Sequence, residues 1–204
     1  NPATYTGLSD ELRNLFASLE EAKKRDLKKN HFSFNTKGGR CEKCEGAGYE
    51  QIGMQMLGTV EVVCSECNGK QFKPEILEVK YKEKSLADIY ALTIDEAFEF
   101  FAEEKKINQY LKVLKDVGLG YLTLNQRSST LSGGEARRVK LAKNLVKVSK
   151  QHTLFIIDEP SSGLHTHDVF VLLDNLNKLI DQGHTIILVE QNPVFIKNAD
   201  WLLE

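Results

Sequence analysis

The chain has 204 residues, 41% hydrophobic and 27% charged, a globular balance with apolar material for one large domain or two small ones and no sign of general disorder. Lys plus Arg (27) nearly cancel Asp plus Glu (29), so the formal charge is −2 and any contact with nucleic acid has to come from a local cluster. The longest apolar runs, Thr153 to Ile157 and Thr185 to Val189, fall far short of the roughly 20 residues of a membrane-spanning helix. With Asn1 rather than Met at its start, the chain reads as an internal segment of a longer polypeptide.

Leu8, Leu12, Leu15, Phe16, Leu19 and Ala22 recur at helical spacing, predicting one helix over 8–29 that ends in a basic run. Between Ala22 and Arg40 the basic residues are Lys23, Lys24, Arg25, Lys28, Lys29, Lys37 and Arg40, with Asp26 the only acid. A locally positive surface is expected there, although a solvated helix face is the plainer reading of such a run alone. Phe32 and Phe34 alternate with polar residues and are expected to anchor the next module rather than to stack on bases.

All the cysteines follow in one stretch, as Cys41-x-x-Cys44 and Cys64-x-x-Cys67 with 19 residues between the pairs. Paired C-x-x-C steps at this separation match a tetrahedral zinc site with four thiolate ligands. Glycines follow both pairs, at Gly46, Gly48 and Gly69, where positive φ lets backbone N–H groups point at sulfur. The alternation around Gly53 to Val63 predicts a β-hairpin carried on the zinc clip. After Cys67, Leu77, Val79 and Tyr81 alternate with Glu78, Lys80 and Lys82, predicting a strand over 75–81. Helices are then expected over Leu86 to Tyr90, Ile94 to Glu103 and Ile107 to Val117, the first two capped by Ser85 and Thr93.

The character changes at Leu131. Ser132-Gly133-Gly134 opens a helix through Val146, followed by the strand run Thr153 to Ile157, a helix from Thr166 to about Gln182, the strand run Thr185 to Glu190 and a short helix. Continuous apolar strands joined by a helix predict a parallel sheet covered on both faces, with ligands at the carboxyl ends of the strands, where Asp158, Glu159, Glu190 and Gln191 fall. A carboxylate at the end of a buried strand is what a nucleoside triphosphatase uses to hold Mg²⁺, which gives Asp158 that role and lets Glu159 orient or deprotonate the attacking water. The glycines of Ser132-Gly133-Gly134-Glu135 permit close backbone approach, and the helix they open directs free N–H groups and its positive dipole end at an anion. The plainer reading of Ser132 is a helix cap with a flexible lead-in.

Leu131-Ser132-Gly133-Gly134-Glu135, then Leu154 to Pro160, then Ser162-Gly163-Leu164-His165 resembles the second half of an ATP-binding-cassette nucleotide-binding domain. The four-cysteine module upstream narrows the resemblance to the UvrA family, the DNA-damage-recognition ATPases of bacterial nucleotide excision repair. Asn1 to Gly7, Phe32 to Asn35, Lys37 to Cys44, Asp116 to Leu119 and Ala199-Asp200-Trp201 read the same way, so the resemblance covers nearly the whole chain. It implies an α/β fold: the C-terminal half of an ABC-type P-loop ATPase domain, with a parallel sheet and helices, plus a helical insertion carrying a four-cysteine zinc-clipped β-hairpin. The insertion would occupy 1–128, with the zinc module at about 38–74, and the ATPase lobe with signature, Walker B and D-loop would occupy 129–204.

The resemblance further implies a composite site. Ser132, Gly133, Gly134 and Glu135 would bind ATP held by the opposite cassette, Asp158 would hold Mg²⁺, Glu159 would be catalytic, and His165 would lie in the D-loop joining two sites, unless it merely caps the next helix. The position held by Gln191 is usually His in the family and contacts the γ-phosphate; Gln191 donates a hydrogen bond but carries no proton. Two further departures, Asp26-Leu27 and Asn30-His31 for the usual Gly-Tyr and Gly-Arg, lower the local positive charge. No G-x-x-x-x-G-K-[ST] phosphate loop occurs in these residues, so the chain alone is expected not to hydrolyse ATP. The implied cofactors are structural zinc, and ATP with Mg²⁺ in the full-length protein. The implied partners are double-stranded DNA through Lys23, Arg25, Lys28, Lys29, Lys37 and Arg40, a second full-length copy, and a UvrB-type repair subunit through regions outside the chain, in the bacterial cytoplasm and with no membrane. The alternatives are a UvrA-like paralogue serving self-resistance to a DNA-binding drug, and a zinc-dependent interaction module, since the Cys-x-Gly-x-Gly knuckle also resembles DnaJ-type chaperones. A transporter or chromosome-structuring ATPase fits the four-cysteine insertion poorly.

Overall fold

A computed structural model describes residues 1–54, 58–146 and 151–203. In chain order the elements are helices α1 (Pro2–Thr6), α2 (Leu8–Ser18) and α3 (Glu20–Lys24); strands β1 (Tyr49–Met54) and β2 (Gly58–Val63); helix α4 (Pro74–Leu77); strands β3 (Lys80–Tyr81) and β4 (Lys84–Ser85); helices α5 (Leu86–Ala91), α6 (Ile94–Phe100), α7 (Lys105–Asp116) and α8 (Gly133–Val146); then β5 (Leu154–Asp158), α9 (Thr166–Asp181), β6 (Thr185–Val189) and α10 (Pro193–Asn198). They form two compact units, Ser9–Ala91 and Asn1–Leu8 with Leu92–Glu204. The division by motif at residue 128 is therefore a different division from that of the backbone. No helix among the described residues is long and apolar enough to cross a membrane.

In the unit Ser9–Ala91, the predicted helix over 8–29 is broken. Leu19 adopts an extended conformation (φ −65°, ψ 145°) between α2 and α3, and after α3 Asp26 turns the chain with φ 51°. The basic run thus spreads over a short helix, a turn and the 3₁₀ segment Lys29–Phe32 rather than one helix face. The core is aromatic. Phe16 and Phe32 meet at 5.7 Å, Phe34 packs edge-on to Phe72 and Tyr90 at 6.0 and 5.3 Å, and all five rings are buried. Phe32 and Phe34 are core residues, as the sequence suggests.

The strand expected over 75–81 is instead a helical turn followed by a two-residue strand. Pro74 sits at the first helical position, where its fixed φ is favourable and its missing N–H is no loss, and the turn buries Ile76 with Val79, three residues apart. Tyr81 pairs with Lys84 in the small ladder β3–β4. The hairpin beside the cysteines is present, β1 pairing antiparallel with β2 from Tyr49↔Val63 to Met54↔Gly58; residues 55–57 of the predicted hairpin lie outside the described residues.

In the other unit the helical caps come out as their residue types suggest. Thr93 and Glu96 form a reciprocal capping box on α6, and Ser132 with Glu135 repeats the pattern on α8, each N–H of the pair bonded to the other's side chain. β5 and β6 run parallel, Leu154↔Thr185 through Asp158↔Val189, joined by α9, whose Val169, Leu172, Leu176 and Leu179 are buried. One expectation fails. Leu154, Ile156, Ile187 and Val189 share one face of this sheet and are exposed, Ile156 at 71%, so the apolar strands are covered on one face only among the described residues.

Candidate functional site

Two places gather chemistry, one in each unit. In Ser9–Ala91 the four cysteines converge: Cys41 and Cys64 bring their Sγ atoms to 3.9 Å, Cys44 and Cys67 to 3.6 Å, and all four sulfurs lie within 4.8 Å of one another. A tetrahedron of thiolates about 2.3 Å from a central zinc has sulfurs about 3.8 Å apart. The separations fit that geometry and are too long for disulfides, and all four thiols are buried. Backbone geometry serves the same end. Glu45, Gly46 and Gly48 on one knuckle and Asn68 and Gly69 on the other have φ between 48° and 83°, and the Gly48 N–H donates to Cys44 Sγ at 3.2 Å. Gly46 is also where the knuckle meets the aromatic core, since a Cβ there would stand 1.8 Å from the Phe34 carbonyl oxygen. Burial, reinforced by the neighbouring thiols, pushes the Cys67 thiol up to about 12. A bound cation would invert that preference and hold the thiolates. The four-cysteine cluster can therefore hold a metal ion.

In the other unit, Asp158 and Glu159 close β5. Glu159 has φ 42°, a left-handed conformation uncommon for a non-glycine residue, and its N–H donates to the Val189 carbonyl at 2.8 Å. Its carboxylate accepts from Gln191 Nε2 at 3.3 Å and from Arg137 Nη1 at 3.4 Å, while Arg137 Nη2 lies 3.2 Å from Asp158 Oδ2. Arg137, on the second turn of α8, was not anticipated; nothing in a run of basic residues reveals which strand end they reach. Glu190 organises the other side by accepting from the N–H groups of Ser161 (2.8 Å), Gln191 (3.0 Å) and Asn192 (3.1 Å). Burial alone would raise the Glu190 carboxyl, but the Ser161 hydroxyl and these N–H groups outweigh it and hold the group below its ordinary value.

That direction fixes the sign of a pH dependence. A carboxyl with a depressed folded pKa adds stability above its unfolded value, near 4.3, and loses it as pH falls through the folded value. Thermal midpoints measured from pH 7 downward should therefore fall below about pH 4.3, and Glu190→Gln should flatten that part of the curve. An unchanged slope in the variant would show that Glu190 makes no such contribution.

The glycine turn sits where α8 begins. Glu135 is engaged on both oxygens, accepting from the Ser132 N–H at 2.6 Å and from the Tyr121 hydroxyl at 2.5 Å, and chiefly the Tyr121 bond holds its carboxyl low. Gly133 has open space around its Cα, whereas Gly134 lies against the Ser162 carbonyl. His165 caps α9, its Nδ1 accepting from the His167 N–H at 3.4 Å, which is the plainer role weighed for it. The turn and the strand-end carboxylates are thus brought into one loop cluster.

The basic residues are less free than their sequence suggests. Arg25 is paired with Glu21 and Glu78, Lys29 lies 3.5 Å from Asp10, and Arg40, mostly buried, lies 3.5 and 3.7 Å from Glu42 and Glu45. Lys28 lies 3.9 Å from Asp26, with both side chains highly exposed. Lys23 and Lys37 are exposed and form no ion pair among the described residues.

A protein-family model described as ABC transporter matches residues 53–162, more than half of the chain. The chain belongs to that family. Over all 204 residues it is 50% identical to the UvrABC system protein A of Aquifex aeolicus (strain VF5), covering 22% of that protein, and 51% identical to that of Helicobacter pylori (strain ATCC 700392 / 26695), again covering 22%. The crystal structure of UvrA2 from Deinococcus radiodurans matches with TM-score 0.85 at 47% identity, over 94% of this chain and 24% of that one. This UvrA-family chain thus spans about a fifth of the length of the curated relatives it matches.

Proposed function

We propose that this UvrA-family chain is the signature and Walker B portion of an ATP-dependent DNA-damage-recognition protein of nucleotide excision repair, working in the bacterial cytoplasm. The observation that carries the reading is the loop cluster itself: the Ser132–Glu135 turn and the Asp158–Glu159 strand end lie on one unit of a chain whose other unit gathers four thiols. The insertion at 1–128 brings the zinc module at about 38–74, and 129–204 is the ATPase lobe. Zinc is the metal that four buried thiolates at these separations suit best. ATP binds between cassettes of two full-length copies, with the Ser132 hydroxyl and the Gly133 and Gly134 N–H groups offering donors to a phosphate from across the interface, Glu135 holding the turn through Ser132, and His165 fixing the loop beside it. Mg²⁺, when bound, neutralises the charge that develops on the phosphates. Asp158 holds that ion after leaving Arg137, Glu159 orients the attacking water, and Gln191 holds the Glu159 carboxylate in place.

DNA contact rests on Lys23 and Lys37, which form no ion pair among the described residues, and on Lys28, whose exposed 3.9 Å contact with Asp26 is easily exchanged for a phosphate. Arg25, Lys29 and Arg40, also expected there, must first exchange their carboxylate partners. Phosphate contacts position without reading sequence, as a search for distorted DNA requires. Duplexes of unrelated sequence should therefore bind with equal affinity; marked preference for one sequence, or binding to a peptide and to no duplex, would overturn the reading in favour of an interaction module. The bond from Gln191 to Glu159 favours a second reading, a divergent paralogue with slow turnover serving self-resistance to a DNA-binding drug. Partnership with a UvrB-type subunit is assigned to regions of the full-length protein outside these residues.

A further inference from the structure

Arg138 is 2% exposed, among the largest buried side chains of the chain, and forms no ion pair among the described residues. Its Nη1 donates to the Ser162 carbonyl at 2.7 Å, the Tyr121 hydroxyl is a second, neutral partner of the guanidinium, and its buried Nε has no hydrogen-bond partner. Glu135, whose carboxylate is already committed to Tyr121 and Ser132, feels the guanidinium only through space. Burying a permanent cation on two neutral partners, with its Nε unsatisfied, is unfavourable, and an apolar side chain of similar volume would fill the same space at less expense. Core packing therefore does not account for Arg138.

The Ser162 carbonyl does. It lies in the middle of the loop that leaves β5 through Glu159 and enters α9 at His165. Gly134 approaches the same oxygen from the first turn of α8, closely enough that a Cβ would stand 2.6 Å from it. Two successive turns of one helix thus converge on a single backbone atom, one by close approach and one by a charge-assisted hydrogen bond. The loop's own bonds carry that position onward: Ser162 N–H donates to the Glu159 carbonyl at 3.2 Å, and Ser161 N–H donates to Glu190.

We propose that Arg138 is a positioning residue whose guanidinium clamps the Ser162 carbonyl against Gly134 and so ties the serine-glycine-glycine turn to Glu159. The functional consequence rests on the ATPase reading above: a shift of the turn on engaging nucleotide would be passed to the water-orienting carboxylate. The clamp itself needs neither ATP nor DNA, so a failure of either reading is separable from the other.

The test is amide hydrogen exchange, resolved by residue, on the whole chain. Arg138→Met should speed exchange of the Glu159, Ser161, Ser162 and Leu164 amides by about tenfold or more, the loss expected for one hydrogen bond to a charged group, with the β5–β6 ladder amides unchanged. Arg138→Lys, which keeps one charged donor, should restore most of the protection. Gly134→Ala pushes on the same carbonyl without disturbing the buried charge and should reproduce the loop effect even if Arg138→Met does not fold. Loop amides that are unmoved in Gly134→Ala, exchange that rises equally through α8, α9 and β5, or no rescue by lysine would overturn the proposal.

Discussion

Removing the metal, by chelation or by Cys44→Ser, is expected to abolish the ordered structure of the segment from about 38 to 74 while leaving the unit containing α7, α8 and α9 folded. The physical reason is how little else holds the two knuckles and their hairpin, since Phe72 anchors only the end of the segment in the aromatic core. The hairpin β1–β2 exposes Ile52, Val60, Val62 and Val63, the last at 62%, and a two-stranded ladder whose described apolar residues face water is marginal. Four buried thiols without a cation add mutual repulsion once ionised, whereas metal-coupled folding of small thiolate sites is worth on the order of 10 kcal/mol. That exceeds the whole stability of many domains. Circular dichroism melts, with metal content measured on the same samples, check it. A metal-free sample that keeps the melting curve and the slow-exchanging Gly48 and Asn68 amides of the holo form would contradict the account.

The second large effect is expected at Glu159. The chain alone should show no ATP turnover above background, because its sequence holds no phosphate loop. In the complete protein, Glu159→Gln should lower turnover at this site by roughly 100-fold or more, the scale of a lost general base, while nucleotide still binds. The competing role for this carboxylate is a surface ion pair with Arg137, and magnitude separates the two. A half-exposed pair contributes about 1 kcal/mol or less to stability and nothing to turnover. Glutamine keeps the side chain's size and much of its hydrogen bonding, so the variant isolates the lost base. The left-handed backbone at Glu159 favours the functional role, since strain of this kind persists where the surroundings enforce one orientation. Turnover by the chain alone that survives Glu159→Gln would remove the assignment.

Much of this was legible because single residue types carry it. Four cysteines at fixed spacing admit few chemistries, and their convergence to within 4.8 Å needed no long-range guess. Capping boxes at Thr93 and Ser132 are likewise local, set by side chains three residues apart. What escaped is non-local. The alternation of Leu77, Val79 and Tyr81 reads as a strand until Pro74 and the buried Ile76 are weighed with it. The basic run looked unopposed because Asp10 and Glu78, which neutralise Lys29 and Arg25, lie outside it in sequence. Arg138 reads as one more surface cation of α8 until the fold buries it beneath the Ser162 carbonyl. The continuous apolar runs rightly gave parallel strands, but periodicity has no means of saying which face of β5 and β6 is covered.

The most direct test of the proposed function is duplex binding by the purified chain across a salt series, beside a variant carrying Lys23→Glu, Lys28→Glu and Lys37→Glu. Counterion release makes the logarithm of affinity fall linearly with the logarithm of salt, by about 0.9 for each phosphate contacted, so the chain should show a steep slope that these three reversals shallow by roughly 3. Arg25→Gln, at a side chain already held by Glu21 and Glu78, should leave the slope nearly unchanged. Equal slopes for the chain and the triple variant would contradict the placement of DNA on this surface, and the absence of duplex binding by both would contradict the damage-recognition reading of the chain.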